Sequence, residues 1–264
     1  MSRHQGRSTH DFTNCEVLVT GASRGIGLGL AEAFVESNAT VTILADDPGT
    51  QAVAADLARR FDRPVQGLIC DISDARQVAD AIDPLARIDV LINNAGLELI
   101  TPITDPSPEV DENFRRIIDI NVLGTYRVTR RALPKIPRGG RIIITASMWG
   151  KTAVADFSAY CASKHANIGF MRSMARELAS LDINVNAVCP GWVETAASMR
   201  SLAAMAGREG RDERELLDEI IGAQALGGLM QPRDITETYL YLASNAARDI
   251  TGQAITVDRG ELMQ

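Results

Sequence analysis

Histidine is scarce: His4, His10 and His165 are the only three in 264 residues. Two of them fall in the opening segment, so a histidine-built metal centre is not expected, and no metal ligands are assigned. The four cysteines, Cys15, Cys70, Cys161 and Cys189, form no C-x-x-C pair. Each lies in or beside an apolar run, which is the setting of a buried free thiol. Such thiols suit a reducing compartment, and a cytoplasmic location is expected. Basic charge is also in deficit: 27 Lys and Arg stand against 34 Asp and Glu, for a net charge of −7. No electrostatic footprint for nucleic acid follows from that balance. No stretch approaches 18 uncharged apolar residues, so no membrane span is expected. The opening "MSRHQGRSTHDFTN" lacks the apolar core of a secretory signal, and residues 1–13 are expected to form a mobile tail.

What is present is alternation. "CEVLVT", "TVTIL", "PVQGLIC", "DVLINN", "RIIITAS", "INVNAVCP" and "QAITVD" read as seven short apolar strands. Helical patterns separate them, including "SDARQVADAIDPLA", with Ser73 as its expected cap, and long helices from about Pro108 to Leu133 and from about Ala155 to Leu181. Continuous apolar strands between helices imply a parallel sheet covered on both faces. The fold class is therefore α/β: a doubly wound, Rossmann-like parallel sheet of about seven strands, in a single domain spanning 14–264. The segment at about 196–228 breaks the rhythm after the sixth strand. It reads as two short helices outside the sheet, a small helical lid over a substrate site.

"LVTGASRGIG" follows the first strand and opens the first helix. Gly21, Gly25 and Gly27 allow a tight turn and close approach of a ligand to the backbone. A helix N-terminus there offers free N–H groups to a pyrophosphate. The spacing is G-x-x-x-G-x-G rather than the commoner G-x-G-x-x-G. After the second strand stand Asp46 and Asp47. A carboxylate at that place accepts from a ribose 2′-hydroxyl and repels a 2′-phosphate, which favours NAD. Arg24, inside the glycine loop, could instead pair with a phosphate, so NADP remains an alternative.

"FSAYCASKHANIGF" places Tyr160 and Lys164 four residues apart, on one helix face. At ~4 Å and an effective dielectric near 20, an ammonium attracts a phenolate by roughly 4 kcal/mol. That amounts to about 3 pKa units, enough to make the phenol a proton exchanger for an alcohol or ketone oxygen. Ser147, in "IIITASMWG" at the end of the fifth strand, could hydrogen-bond the same oxygen. Asn121, in "DINVLGTY", is polar within an apolar helical face, which suggests a local kink or a water site. "NNAG" at Asn93–Gly96 and "CPGWVET", with Pro190, Gly191 and Thr195, also end strands where open α/β sheets bind ligands.

Taken together, "TGASRGIG", "CDIS", "NNAG", "NVLG", the Ser147/Tyr160/Lys164 set, "CPGWVET" and "TGQAITVD" resemble the short-chain dehydrogenase/reductase family, in its non-extended, single-domain type. The motifs run in family order from about residue 15 to 260. The resemblance implies an oxidoreductase that interconverts a secondary alcohol and a ketone. Tyr160 would be the general acid/base. Lys164 would lower its pKa and hold the nicotinamide ribose, Ser147 would orient the substrate oxygen, and Asn121 would hold a relay water. By the same resemblance, Gly21, Ser23, Arg24, Gly25, Ile26, Gly27 and Asp46 would bind the coenzyme's phosphates and ribose. Asp71 and Ile72 would contact adenine, and Asn93, Ala95 and Gly96 would line the coenzyme. Pro190, Gly191, Val193 and Thr195 would meet the nicotinamide side. The family is usually tetrameric, so a homotetramer is expected. Two departures stand out: the usual NAD-selecting acid is displaced from Ala45 to Asp46, and Arg259 stands where glycine is common.

The substrate pocket should comprise Leu97, Glu98, Met148, Trp149, Trp192, Met199 and Leu202. It looks apolar, with two indoles. No convincing clamp for a carboxylate or CoA is present, Lys151 and Arg200 being no more than candidates. A small to medium secondary alcohol or ketone is the expected partner. An NADP-dependent 3-oxoacyl thioester reductase and a non-catalytic NAD(H)-binding regulator are the alternatives.

Overall fold

The computed structural model describes residues 10–263. Seven parallel strands form one sheet in the order β3-β2-β1-β4-β5-β6-β7. They are β1 (Glu16–Thr20), β2 (Thr40–Ala45), β3 (Val65–Ile69), β4 (Val90–Asn93), β5 (Arg141–Thr145), β6 (Asn184–Pro190) and β7 (Ala254–Val257). The helices are α1 (Gly25–Glu36), α2 (Thr50–Phe61), α3 (Ala75–Ile82), α4 (Pro108–Ile118), α5 (Thr125–Ala132), α6 (Ser158–Glu177), α7 (Ala196–Glu209), α8 (Glu213–Gly222) and α9 (Thr236–Ala243).

Side-chain alternation along the central strands builds a core on each face of the sheet. Val17, Val19, Ile43 and Ile92 pack with Leu30 and Phe34 of α1. Leu18, Leu44 and Leu91 pack on the opposite face with Val128 of α5 and Met171 of α6. The order reverses between β1 and β4, which pair Leu18 with Leu91. The crossovers leave to opposite sides there, and a crevice opens at the strands' carboxyl ends.

Several boundaries differ from the sequence expectation. Residues 1–9 of the expected tail lie outside the described residues. Phe12, inside it, is buried and packs edge-on against Phe34 at 5.0 Å between ring centroids. The packed domain thus reaches two residues further than the boundary at 14. The cap of α3 is Asp74, which accepts from the N–H groups of Arg76 and Gln77. Ser73 instead donates from its hydroxyl to Asp71 at 2.7 Å. The helix expected from Pro108 to Leu133 is divided by a π-helical turn, Asp119–Gly124, which holds Asn121. The segment 196–228, expected as a lid, contains α7 and α8. Leu202, Ala206 and Leu216 of these helices pack with Trp149 and Trp192 in a third apolar cluster. Arg259, with φ +58, donates to the carbonyl of Gly227 at 2.6 Å. It therefore ties the chain after β7 to the loop that follows α8.

Candidate active site

A cavity of about 360 Å³ lies in the crevice, from the glycine turn after β1 to the tryptophan cluster under α7. The turn is built from backbone. Gly21 has φ +64, and a Cβ there would come within 2.7 Å of the Ala95 Cα. At Gly27 a Cβ would lie 2.2 Å from the Gly21 carbonyl oxygen, so that glycine lets α1 press on the turn without itself lining the cavity. Asn94 Nδ2 donates to the carbonyls of Thr20 and Gly21, at 3.0 and 3.2 Å, and holds the turn from β4. No side chain caps α1, and its first turn carries no acid. Its leading N–H groups and positive dipole end therefore remain available to an anion. Ser23, Arg24, Gly25 and Ile26 line this end.

Next to it, Asp46 lines the cavity and Asp47 does not. Asp47 is engaged elsewhere: its Oδ2 lies 3.0 Å from Arg24 Nη1. Arg24 is thus held by a carboxylate of its own chain. Asp71 and Ile72 line the adjoining wall.

At the other end, Ser147, Tyr160 and Lys164 share one wall with Gly96 and Gly191. Ser147 sits two residues past the end of β5, where it caps a short 3-10 turn and accepts from the Trp149 N–H at 3.1 Å. Tyr160 and Lys164 come from successive turns of α6. Lys164 is 3% exposed; its Nζ donates to the Thr145 carbonyl at 2.9 Å and lies 5.4 Å from the Tyr160 ring centre.

The electrostatics differ from the sequence expectation. Burial, and then the Glu98 carboxylate, push the Tyr160 phenol well above its ordinary value, against a lowering contribution from the Ser147 hydroxyl. The Lys164 ammonium does not make this phenol acidic. It is itself desolvated, and burial brings it down to about 8 despite the attraction of Glu98. Desolvation of the charged form is the largest influence on both groups. Tyr160 is therefore held protonated at neutral pH.

Glu98, expected in the substrate pocket, is a charged group whose effect on Tyr160 the motif reading did not weigh. It follows β4 by five residues and lines the cavity. Burial raises its pKa, against lowering contributions from the Ser201 hydroxyl, the Lys164 charge, the Tyr160 hydroxyl and the Arg200 charge. The loop that carries it is clamped by Asn121. The Leu97 N–H donates to Asn121 Oδ1 at 2.7 Å, and Asn121 Nδ2 donates to the Leu97 carbonyl and to Ser163 Oγ, both at 2.9 Å.

Of the other expected positions, Ala95, Gly96, Leu97, Met148, Trp149, Pro190, Gly191, Trp192, Val193 and Thr195 line the cavity. Asn93, Asn121, Met199 and Leu202 do not. Asn93 shares its strand face with Leu91, so its side chain turns to α5 and donates to Thr129 Oγ1 at 2.9 Å. Asn121 is wholly buried, and Leu202 is core of the lid cluster, with Met199 packed against it. Lys151 is turned away to Thr256 Oγ1 at 2.8 Å, whereas Arg200 lines the cavity. His165 is exposed and bonds only along its own helix, to the Cys161 carbonyl at 2.9 Å. Asn94, Arg116 and Ile120 line the cavity without having been expected to. Period-two alternation through "LINN" is the signal that would have favoured Asn94 over Asn93.

A protein-family model described as Enoyl-(Acyl carrier protein) reductase matches residues 21–261. The chain is 34% identical over 259 residues to a D-beta-hydroxybutyrate dehydrogenase of Cupriavidus necator, covering 94% of this chain and 97% of that one. Among solved structures, it superposes with a TM-score of 0.86 and 30% identity on an actinorhodin polyketide ketoreductase variant with NADPH, covering 94% and 97% of the two chains. A short chain dehydrogenase from Burkholderia cenocepacia in complex with NADP gives a TM-score of 0.83 at 26% identity, covering 96% and 99%.

Proposed function

Because the chain belongs to the short-chain dehydrogenase/reductase family, we propose that it interconverts a secondary alcohol and a ketone with NAD, using Tyr160 as the proton donor and acceptor. The observation that carries this reading is the placement of Ser147, Tyr160 and Lys164 on one wall of the cavity that also holds the uncapped glycine turn. When bound, the nicotinamide accepts or supplies the hydride. For oxidation, the carbinol carbon gives up hydrogen with its electron pair and the alcohol oxygen gives its proton to the Tyr160 oxygen; reduction reverses both transfers. The Ser147 hydroxyl favours the ionised phenol, against the effect of burial. A protonated Tyr160 is the form that ketone reduction requires.

The glycine turn would hold the pyrophosphate, with Asp71 and Ile72 on the adenine side. Lys164 would hold the nicotinamide ribose, and Val193 and Thr195 would lie near the carboxamide. NAD is favoured because Asp46 faces the cavity while Arg24 is paired with Asp47. A second reading, an NADP-dependent reductase of 3-oxoacyl thioesters, draws on the polyketide ketoreductase with NADPH among the similar structures.

The test is turnover of a ketone and alcohol panel with NAD(H) and with NADP(H), followed by nicotinamide absorbance. Tyr160→Phe should lower kcat by at least ~100-fold, the usual worth of acid/base catalysis, with NADH affinity little changed. Retained turnover in that variant would refute the assignment.

A further inference from the structure

A second cavity, of about 320 Å³, adjoins the tryptophan pair. Met148, Trp149 and Trp192 line both this cavity and the coenzyme crevice, so the two spaces share one wall. Tyr160 meets that wall, edge-on to Trp149 at 6.0 Å between ring centres. The other sides come from separate stretches of chain. Val154 follows β5, Met205 and Ile220 belong to α7 and α8, and Glu261 and Leu262 follow β7.

Glu261 is the charged residue in this lining, and no lysine, arginine or histidine lines the cavity with it. Lys164 and Arg200 line the coenzyme crevice and not this space. Among the described residues no ion pair or hydrogen bond closes on the Glu261 carboxylate, and its Oε2 is buried without a partner. Both polar atoms of the Gln224 side chain, which is 7% exposed, are likewise unpartnered. Burial and then the Asp258 charge raise the Glu261 pKa, against a lowering contribution from Gln224.

The backbone that carries Glu261 is nevertheless anchored. Asp258 accepts from the N–H groups of Gly260 and Leu262, at 3.0 and 2.7 Å, on either side of Glu261. The Leu226 N–H donates to the Arg259 carbonyl at 2.9 Å, and Arg259 Nη1 donates to the Gly227 carbonyl at 2.6 Å. The carboxylate is thus fixed by its neighbours and left with unfilled acceptor capacity of its own. An acceptor taken from water without a partner is costly. A donor arriving with a ligand offsets that cost, and a plain hydrocarbon does not. A second carboxylate would add repulsion where little water screens it. The indoles and methionines suit an apolar chain or ring.

Resting on the oxidoreductase reading above, we propose that this second cavity is a substrate subsite, and that Glu261 selects an apolar body whose far end is a hydrogen-bond donor, a hydroxyl or an ammonium. The reacting carbonyl lies at Tyr160, and the far end passes the shared tryptophan wall. Substrates that end in a carboxylate are disfavoured.

The experiment compares wild type, Glu261→Gln and Glu261→Ala on two aromatic ketones of different reach, acetophenone and 4-phenyl-2-butanone. Each is supplied with hydrogen, hydroxyl, aminomethyl or carboxylate at the para position. The readout is kcat/KM of the substituted ketone over that of the plain one, with circular dichroism to check folding and size-exclusion chromatography to check assembly. On one of the two bodies, wild type should favour the hydroxyl or the aminomethyl member by at least about tenfold, the usual worth of a hydrogen bond to a charged group, and should disfavour the carboxylate. Glu261→Ala should bring the donor ratio near one. Glu261→Gln, which keeps shape and an acceptor oxygen, should preserve a preference for hydroxyl, lose one for aminomethyl, and relieve the penalty on carboxylate. A wild type that ranks the plain or the carboxylate member first would overturn the proposal. So would identical ratios in wild type and Glu261→Ala; a changed assembly state in that variant would then place Glu261 at a contact between copies. Both results leave the enzyme assignment standing. Absence of turnover by wild type across both series would overturn the enzyme assignment and this proposal with it.

Discussion

Asn121 grips Leu97 by both ends of its peptide functionality: the Leu97 N–H reaches Oδ1 at 2.7 Å, and Nδ2 reaches the Leu97 carbonyl at 2.9 Å. A helix thereby holds a loop as a neighbouring strand would. The π-helical turn makes this possible, because one inserted residue re-aims the side chain. Asn121→Ala would strand a donor and an acceptor away from water, at about 1–3 kcal/mol for such a group. The melting temperature should fall by roughly 2–12 °C, given about 2–4 °C per kcal/mol for a domain of this size. An unchanged Tm by calorimetry would show that the clasp is not stabilising.

Asp46 should govern coenzyme choice. It faces the cavity, while Asp47 holds Arg24. Asp46→Ser removes the carboxylate that would accept from a ribose hydroxyl and repel a 2′-phosphate. The ratio of kcat/KM for NADH over NADPH should fall by on the order of tenfold or more, equivalent to about 1.4 kcal/mol. A ratio that stays put would assign the choice to another residue.

Gly27 tolerates no side chain. Its Cβ would meet the Gly21 oxygen at 2.2 Å and Asn94 Nδ2 at 2.6 Å. The first is backbone and cannot rotate away, so the turn itself must move. Gly27→Ala is expected to lower stability by about 1–3 kcal/mol, the usual cost of overpacking. Nucleotide affinity should drop as well, read by calorimetric titration with NADH. Normal affinity in this variant would mean that the turn's position does not matter for binding.

Alkaline pH should destabilise the protein through its buried thiols, with the buried phenols of Tyr160 and Tyr239 acting in the same sense. Burial raises Cys15 and Cys70 from 9.0 to about 12. The folded chain therefore keeps protons that the unfolded chain releases above pH 9, and stability is lost as pH rises from there toward 12. Lys164 acts in the opposite sense. Its folded value of about 8 lies below the ordinary 10.5, so charging it costs stability below about 8, and that cost is relieved as pH rises to 10.5. Between 9 and 10.5 it offsets one cysteine; above 10.5 both cysteines act unopposed. Urea unfolding from pH 10.5 to 11.5 should show a falling ΔG, and Cys70→Ala should flatten the slope by about 1.4 kcal/mol per pH unit. Equal slopes for the two proteins would rule this account out.

Much of the fold was legible because strands buried on both faces must be apolar throughout, and "EVLVT" or "RIIIT" cannot be read otherwise. The ends of elements were less legible. Ser73 and Asp74 are both good caps, and only the position of Asp71, which accepts from Ser73, decides between them. The glycine turn, Ser147, Tyr160 and Lys164 were readable from spacing. The charge balance around Tyr160 was not, because it depends on how deeply two groups are desolvated. It also depends on Glu98, which no local pattern ties to a helix more than sixty positions later. Leu202 shows the same limit: a lid residue's sequence does not say whether it faces the ligand or the lid's own core.

The chain has two tryptophans, and both belong to one edge-on pair, Trp149 and Trp192, with ring centres 5.8 Å apart. Tyr160 meets Trp149 edge-on at 6.0 Å. Ultraviolet-excited indole emission from this protein thus originates at a single spot beside the reacting end. Excited beyond the tyrosine absorption, its intensity provides a label-free optical gauge of what enters there, with no other indole in the sequence to dilute it.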